Sequence, residues 1–275
     1  MGKLLLCGTP IGNLEDISMR ALRVLGEADV LACEDTRRTR KLLSHYGISP
    51  RSLTVYNDGN ERRKAAELVG VMERGKVVAL VSDAGMPGLS DPGYRLVRAA
   101  IEAGIPVEVV PGPTAAVSAL AVSGLPPGRF VFEGFLAKKP GERRRRIEEL
   151  AAERRTIVIF ESPHRIEETV ADLAAGLGDR PAALARELTK MHEEVRRGTL
   201  SELVASVASD PPRGEIVIVV EGAIHGFAEA VEPQELARRA KELMDSGVAR
   251  SEALGRVARD LGVRKREVFD ALLED

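Results

Sequence analysis

The sequence predicts an α/β protein: two α/β domains followed by a small helical tail. Three observations carry that expectation. Short apolar runs alternate with stretches of helical spacing through roughly the first 222 residues. Loops rich in Gly and Pro follow several of those runs directly, where open α/β sheets bind their ligands. After Gly222 the apolar runs stop, and three amphipathic stretches remain.

In order, KLLLCG (3–8), DVLAC (29–33), SLTVY (52–56), KVVALVS (76–82) and PVEVVPG (106–112) read as strands. They are continuously apolar, as strands covered on both faces are, which points to parallel pairing with right-handed crossovers. Met19, Leu22 and Leu25, then Leu68, Val71 and Met72, then Leu96, Val97, Ala100 and Ile101 mark helices between them. This is the first expected domain, 1–112. Gly124, Pro126, Pro127 and Gly128 form a cluster of breakers near a boundary. Strands at 130–135, 156–162, 182–187 and 215–222, with helices at 142–153, 164–176 and 199–208, make the second, 113–224. Its hairpin-sized gaps predict a mixed sheet. The tail, 229–275, reads as helices over 232–247, 251–262 and 264–274, with Ser251 as an N-cap and Gly247 and Gly262 as C-caps. ARDLGVRKREVFDAL has a helix-turn-helix shape. Basic residues Arg264, Lys265 and Arg266 could meet nucleic acid there, and plain packing or dimerisation fits equally well.

Composition narrows the function. With 44% hydrophobic and 30% charged residues among 275, the chain is a globular protein rather than a disordered one. Forty basic residues against 42 acidic ones leave −2, so it is no polycation that coats nucleic acid indiscriminately. Any RNA contact must come from a local patch. Aromatics at 3%, without Trp, argue against a stacking platform for single strands. Cys7 and Cys33 exclude a disulfide framework and a Cys-rich zinc site, and their apolar neighbours predict burial. His45, His164, His192 and His225 lack ligand spacing, so no metal is expected. No apolar run approaches the ~18 residues of a membrane span, and MGKLLLCGTP is apolar for four residues only. Cytoplasmic residence is expected.

Three loops hold the chemistry of the first half: GTPIGNLEDIS (8–18), SDAGMPGLSDPG (82–93) and VPGPTAAVSAL (110–120). The middle one is the most informative. Its glycines let backbone approach a ligand closely, and its carboxylates suit hydroxyls, amines or a sulfonium. Asp91 and Pro92 then read as the N-cap and first residue of a helix. Two superficial matches fail. Gly70-x4-Gly75-Lys76 is followed by Val77 and lies between helix and strand, the reverse of a phosphate loop. GTPIGN lacks the second glycine of a dinucleotide fingerprint. In CEDTRRTRKLL (33–43), Thr36 is a possible helix cap. FESPHRIEET (160–169) and ARELTKMHEEVRRGTL (185–200) are dense in charge, which by itself suits an ion-pair surface as well as a site. Among basic patches, KKPGERRRR (138–146) is the best candidate for phosphate.

GTPIGNLEDIS, ACEDTRRTRKLL, LVSDAGMPGLSDPG, VVPGPTAAVSAL, FESPHRI and RELTKMHEE, in this order, resemble the tetrapyrrole-methylase-fold family. More narrowly they resemble its branch that acts on small-subunit ribosomal RNA. The resemblance runs from about residue 3 to 222 and on into the tail. It implies a homodimer that uses S-adenosyl-L-methionine, held in a cleft between two α/β domains. The implied reaction is 2′-O-methylation of a cytidine ribose in the decoding region of 16S rRNA within the 30S subunit. The implied cofactor residues are Pro10, Asp83, Met86, Thr114, Ala115, Phe160, Leu188 and Gly214. For catalysis, residue type and placement favour Lys190 against the developing alkoxide and a nearby carboxylate, Glu193 or Glu161, as base, with His164 and Glu34 as further candidates. RNA contacts are expected at Arg37, Arg143, Arg144, Arg145, Arg146, His164 and Arg165. Two rivals stand beside this reading: a same-fold enzyme acting on a tetrapyrrole or other small molecule, and a DNA-binding regulator using the tail.

Overall fold

The computed structural model describes residues 2–223, 233–261 and 265–274. His225, Gly262 and Arg264 lie outside the described residues.

The first sheet contains β1 (Lys3–Cys7), β2 (Val30–Cys33), β3 (Leu53–Val55), β4 (Val77–Val81) and β5 (Val107–Val110). All pairs are parallel, in the order β3-β2-β4-β1-β5. Alternate residues point to opposite faces, and both faces are covered. Leu5, Cys7, Leu31, Cys33, Ala79 and Val81 bury against α1 (Met19–Glu27) and α2 (Thr36–His45). Leu4, Ala32, Val78 and Leu80 bury against α3 (Glu61–Glu73) and α4 (Tyr94–Glu102). Both cysteines are buried and free. Burial pushes the Cys7 thiol up to about 12 despite the Arg20 charge.

Because every strand of this sheet runs the same way, the loops after β1, β2, β4 and β5 emerge on one edge. Gly8 and Gly112 make their meeting possible: a Cβ on Gly8 would stand 2.6 Å from the Gly112 Cα. Thr9 and Gly85 exchange backbone hydrogen bonds of 2.9 and 3.1 Å, tying the first loop to the fourth.

α5 (Ala115–Ser123) packs on the second sheet. That sheet holds β6 (Phe130–Phe135), β7 (Thr156–Glu161), β8 (Pro181–Arg186), β9 (Glu194–Thr199) and β10 (Ile216–Val220), ordered β6-β7-β10-β8-β9. It is mixed, with only β6 and β7 parallel. One face buries Ile157, Ile159, Leu184 and Ile218 beneath α6 (Pro140–Glu149), α7 (Ile166–Leu177) and α8 (Leu200–Ser209). The other buries Val158, Ala183 and Val217 against α5 and Ile11. Strand β9 was missed in the sequence, because EVRRGT carries no apolar run. As an edge strand its arginines need no core: Arg196 lies along Glu194 and Asp210.

Three helix starts differ from expectation. Asp35, not Thr36, caps α2, its carboxylate accepting the Arg37 N–H at 2.8 Å. Helix α4 begins at Tyr94 behind Gly93, so Asp91 and Pro92 lie upstream of it. Gly93 takes φ of 154° in a turn packed on the Gly88 backbone, which other residues rarely adopt.

The helical unit comprises α9 (Pro233–Asp245), α10 (Arg250–Asp260) and α11 (Lys265–Glu274), joined by Leu236, Ala240, Leu254, Val257, Val268 and Ala271. Gly247 closes α9 as expected: its N–H reaches the Met244 carbonyl and the Val248 N–H reaches that of Leu243. Ala249, not Ser251, starts α10. Ser251 lies inside the helix and accepts a hydrogen bond from Lys265 at 2.9 Å.

Candidate active site

Two cavities open where the loop edge of the first sheet faces β6, β7 and β10. They share Ile11, Ala84 and Glu215 as a common ridge.

The first cavity, about 460 Å³, is apolar and aromatic. The loop after β4 supplies Met86 and Asp91, the start of α5 supplies Thr114 and Ala115, and the second sheet supplies Phe rings. Those rings gather for a reason legible in the strand. Phe130 and Phe132 share a face by the period of two. A bulge between Phe132 and Gly134 shifts the parity, so Phe135 pairs with Phe160 on that same face. Phe132 and Phe135 meet Phe160 edge-on at 4.9 and 5.6 Å between ring centres. Thr114 caps α5 by accepting the Val117 N–H at 3.2 Å. Asp91 is half-buried on this wall. Burial, and then the charges of Glu34 and Asp83, push its carboxyl up to about 6, against a hydrogen bond from Ser82.

The second cavity, about 400 Å³, is lined by charge. Pro10 and Asp83 lie on its wall, with Arg38 and Lys41 from α2 and Lys190 from beyond β8. Asp83 accepts the Asp35 N–H at 3.1 Å and lies 3.5 Å from the Arg38 guanidinium.

Lys190 is held with care. Its ammonium donates to Glu187 Oε1 at 2.8 Å and stands 3.3 Å from Glu215 Oε2. Burial alone would lower its pKa, but the Glu187 hydrogen bond and the Glu215 charge overcome that and hold it above the ordinary lysine value. Glu187 also accepts the Glu215 N–H at 2.9 Å. Glu187 and Thr189 have φ of 50° and 66°, left-handed values that cost about 1–3 kcal/mol each. The loop is locked from both sides: Thr189 Oγ1 accepts the Asn13 N–H at 3.0 Å, and its N–H donates to Glu193 at 2.6 Å. Gly12 lies flat against the Lys190 stem, where a Cβ would come within 2.5 Å of Cγ.

The expected cofactor residues therefore divide. Met86, Thr114, Ala115 and Phe160 line the aromatic cavity, while Pro10 and Asp83 line the charged one. Leu188 and Gly214 line neither. Leu188 is buried in the cluster that holds Ile11, and Gly214 packs on the Glu187 carboxylate, so both support the wall. Of the catalytic candidates, Lys190 reaches a cavity. Glu161 also borders one, but its carboxylate is fully buried and accepts from the Ser162 N–H and Thr169 Oγ1, both at 2.7 Å, with Arg165 at 3.2 Å. That fixes Glu161 as an anchor for the start of α7 instead of a base. Glu193 is exposed and borders neither cavity.

Three of the RNA candidates are committed to partners within the fold. Arg143 is buried, its fork spent on Asp172 at 2.6 Å and Glu168 at 3.1 Å. Arg146 is spent on Glu133 and Glu149. Arg165 donates to the Leu136 and Ala137 carbonyls. These three secure the second sheet's helices. Arg144 lies 3.3 Å from Asp172, and Arg37 folds back on Asp35 at 2.7 Å. Arg145 and His164 are exposed. The pattern of charge in the sequence does not reveal pairing, and the partners lie up to 29 residues away.

A model of the tetrapyrrole (corrin/porphyrin) methylases matches residues 3–204. The chain belongs to the tetrapyrrole methylase family. Within that family it is similar to proteins named ribosomal RNA small subunit methyltransferase I. The one from Halalkalibacterium halodurans is 43% identical, over 98% of this chain and 94% of its own. That from Escherichia coli O157:H7 is 44% identical, over 99% and 95%. That from Thermotoga maritima is 49% identical over 81% of this chain, which is 99% of its own length. Among solved structures, a uroporphyrin-III C-methyltransferase from Thermus thermophilus superposes with a TM-score of 0.55, at 27% identity, over 80% of this chain and 94% of that one. A uroporphyrin-III C-methyltransferase structure from Thermus thermophilus complexed with S-adenosyl homocysteine gives 0.57, at 22% identity, over 79% of this chain and 97% of that one. Family membership accounts for the two sheets and their facing loops.

Among the described residues, no group of three or more His, Cys, Asp or Glu is placed to hold a metal ion, and no helix is long and apolar enough to cross a membrane. Sequence reasoning missed Arg38, Lys41, Glu187 and Glu215 as partners of these cavities. It also passed over Phe130, Phe132 and Phe135, which the alternation in FVFEGF could have flagged.

Proposed function

We propose that the chain transfers a methyl group from S-adenosyl-L-methionine to the ribose 2′-oxygen of a cytidine in the decoding region of 16S rRNA. The substrate is the 30S subunit, and the working form is a cytoplasmic homodimer. The names of relatives at 42–49% identity support rRNA as the substrate. The observation that carries the chemistry is the clamped Lys190 ammonium on the wall of the charged cavity, 3.3 Å from Glu215 on the ridge that this cavity shares with the aromatic one.

The cavity residues suit the cofactor. Phe160 and its neighbours offer flat apolar surface to an adenine ring, and Met86, Thr114 and Ala115 line the same space. Asp83 and Asp91 supply negative charge near a cationic sulfur and ammonium. When bound, S-adenosylmethionine supplies a methyl group on positively charged sulfur.

A ribose hydroxyl is a poor nucleophile at neutral pH, so the protein must stabilise its anion and receive its proton. Lys190 performs the first task, with its charge fixed in advance of the reaction. Glu215 performs the second. It borders both cavities and touches Lys190, and its side chain is 64% exposed, so it is open to an incoming hydroxyl. Glu215 would receive the hydroxyl proton, and bound S-adenosylmethionine would supply the methyl group that the ribose oxygen takes up. Ground held by Gly12, Glu187 and Thr189 keeps the ammonium in line, and positioning of this kind supplies much of the rate.

The test is methyl transfer from labelled cofactor to 30S subunits from cells lacking this activity. Label on one alkali-resistant cytidine is the expected result. Tight cofactor binding without label on the subunit would move the substrate to a small molecule.

A further inference from the structure

Arg38 and Lys41 lie three positions apart on α2, so they share a face of the helix, and both line the charged cavity. The other charges on that wall are already matched. Asp83 faces Arg38 at 3.5 Å, and Glu215 faces Lys190 at 3.3 Å. Lys41 has no ion-pair partner among the described residues, and its neighbour Arg38 meets Asp83 through Nε at 3.5 Å while its side chain stays 66% exposed. The cavity thus carries one cation more than its carboxylates can satisfy. The arginines of 143–146 make the contrast, since Arg143 and Arg146 are each spent on two carboxylates.

We infer that the charged cavity is a backbone-phosphate subsite, in which Arg38 and Lys41 grip the RNA phosphate next to the target ribose. This rests on the reading that the substrate is RNA. The chemistry follows from the side chains. A guanidinium presents a fork that matches two phosphate oxygens, and an unpaired ammonium beside it adds a point charge. The volume, about 400 Å³, is within the range of cavities that take a nucleotide-sized group. Lys190 lies on the same wall, so a phosphate held at α2 would set an adjoining ribose hydroxyl near the ammonium and the ridge that the two cavities share. Phosphate contacts position a substrate and carry no sequence information. The subsite therefore places the ribose, and base identity is read elsewhere.

The experiment compares the full-length protein with Lys41→Ala, Lys41→Glu and Arg38→Ala/Lys41→Ala on 30S subunits. Arg63→Ala, an exposed arginine on α3, serves as the charge control. The double variant is expected to raise KM for the subunit about tenfold or more, with Lys41→Glu close behind. The slope of log affinity against log salt is expected to fall in magnitude by about 1 to 2. Cofactor Kd, read by calorimetry on the same preparations, stays within about twofold of the parent, which separates lost RNA docking from a damaged fold. Unchanged KM and salt slope in an active Lys41→Glu and in the double variant would overturn the subsite and leave the RNA reading intact. A parent protein that neither binds nor methylates the subunit would overturn both.

Discussion

The two cavities are built on the same loops and share three residues, yet they are lined by opposite chemistry. The aromatic one is made by the second sheet pressing Phe rings over the β4 and α5 loops. The charged one is made by α2 and by a strained loop beyond β8. Apolar walls bind a ligand by surface and shape, and they tolerate small changes. Charged walls act through a few placed atoms, and one deletion leaves its partners unpaired. The comparison predicts that variants of the cations on the charged wall act on turnover and docking, and variants of the aromatic wall on cofactor affinity.

The largest effect is expected at Lys190. Lys190→Ala removes the ammonium that Glu187 and Glu215 both address, and a placed charge of this kind is worth about 10²–10³ in kcat. Cofactor Kd is expected to change by less than about threefold. Single-turnover methyl transfer at saturating cofactor reads the first number and calorimetry the second. A variant with parental turnover would remove Lys190 from the chemistry and break the division between the cavities.

Next in size is Phe160, which holds the rings of Phe132 and Phe135 edge-on. Phe160→Ala opens the aromatic wall and is expected to weaken cofactor binding about tenfold or more, near 1.5 kcal/mol. Phe160→Leu keeps most of the apolar surface and is expected to recover most of the affinity. With cofactor saturating, turnover in both variants is expected to stay within a few fold of the parent. A tenfold loss of kcat at saturation would mean that the aromatic wall also positions the reacting atoms.

Much of this fold was legible because its strands are written in unbroken apolar runs. All nine strands read from such runs are present, and β9, whose EVRRGT has none, is the one that was missed. Helix starts were less legible, since capping depends on a single side chain. Asp35 and Thr36 are equally good caps on paper, and only the backbone turn selects between them. Loops could be located by their glycines, but charges could not be sorted. Arg143 and Lys41 look alike in sequence, each inside a basic run. One is 3% exposed between two carboxylates, and the other borders a cavity. Pairing across the fold decides which cations remain available, and a linear pattern does not contain it.

The smallest effect belongs to Asp91, a carboxylate on the aromatic wall. Burial, followed by the charges of Glu34, Asp83 and Asp58, raises its carboxyl to about 6, while Ser82 opposes the shift. An unfolded aspartate titrates near 3.9. Between those values the folded chain keeps a proton that the unfolded chain has released. The group's contribution to stability is therefore complete below about pH 4 and is lost as pH rises toward about 6. Asp91→Asn removes that loss, so the ligand-free variant is expected to melt about 2 °C higher at neutral pH and to show a flatter stability curve from about pH 4 to 7. A cationic ligand reverses the preference, because it is drawn to the ionised form. Affinity for S-adenosylmethionine is expected to rise several-fold from about pH 5 to about pH 7.5, and less for S-adenosylhomocysteine, whose sulfur is uncharged. Asp91→Asn is expected to flatten both curves. If the parent's affinity for S-adenosylmethionine is already flat across that range, Asp91 does not face the cationic end of the ligand, and the aromatic wall acts by surface alone.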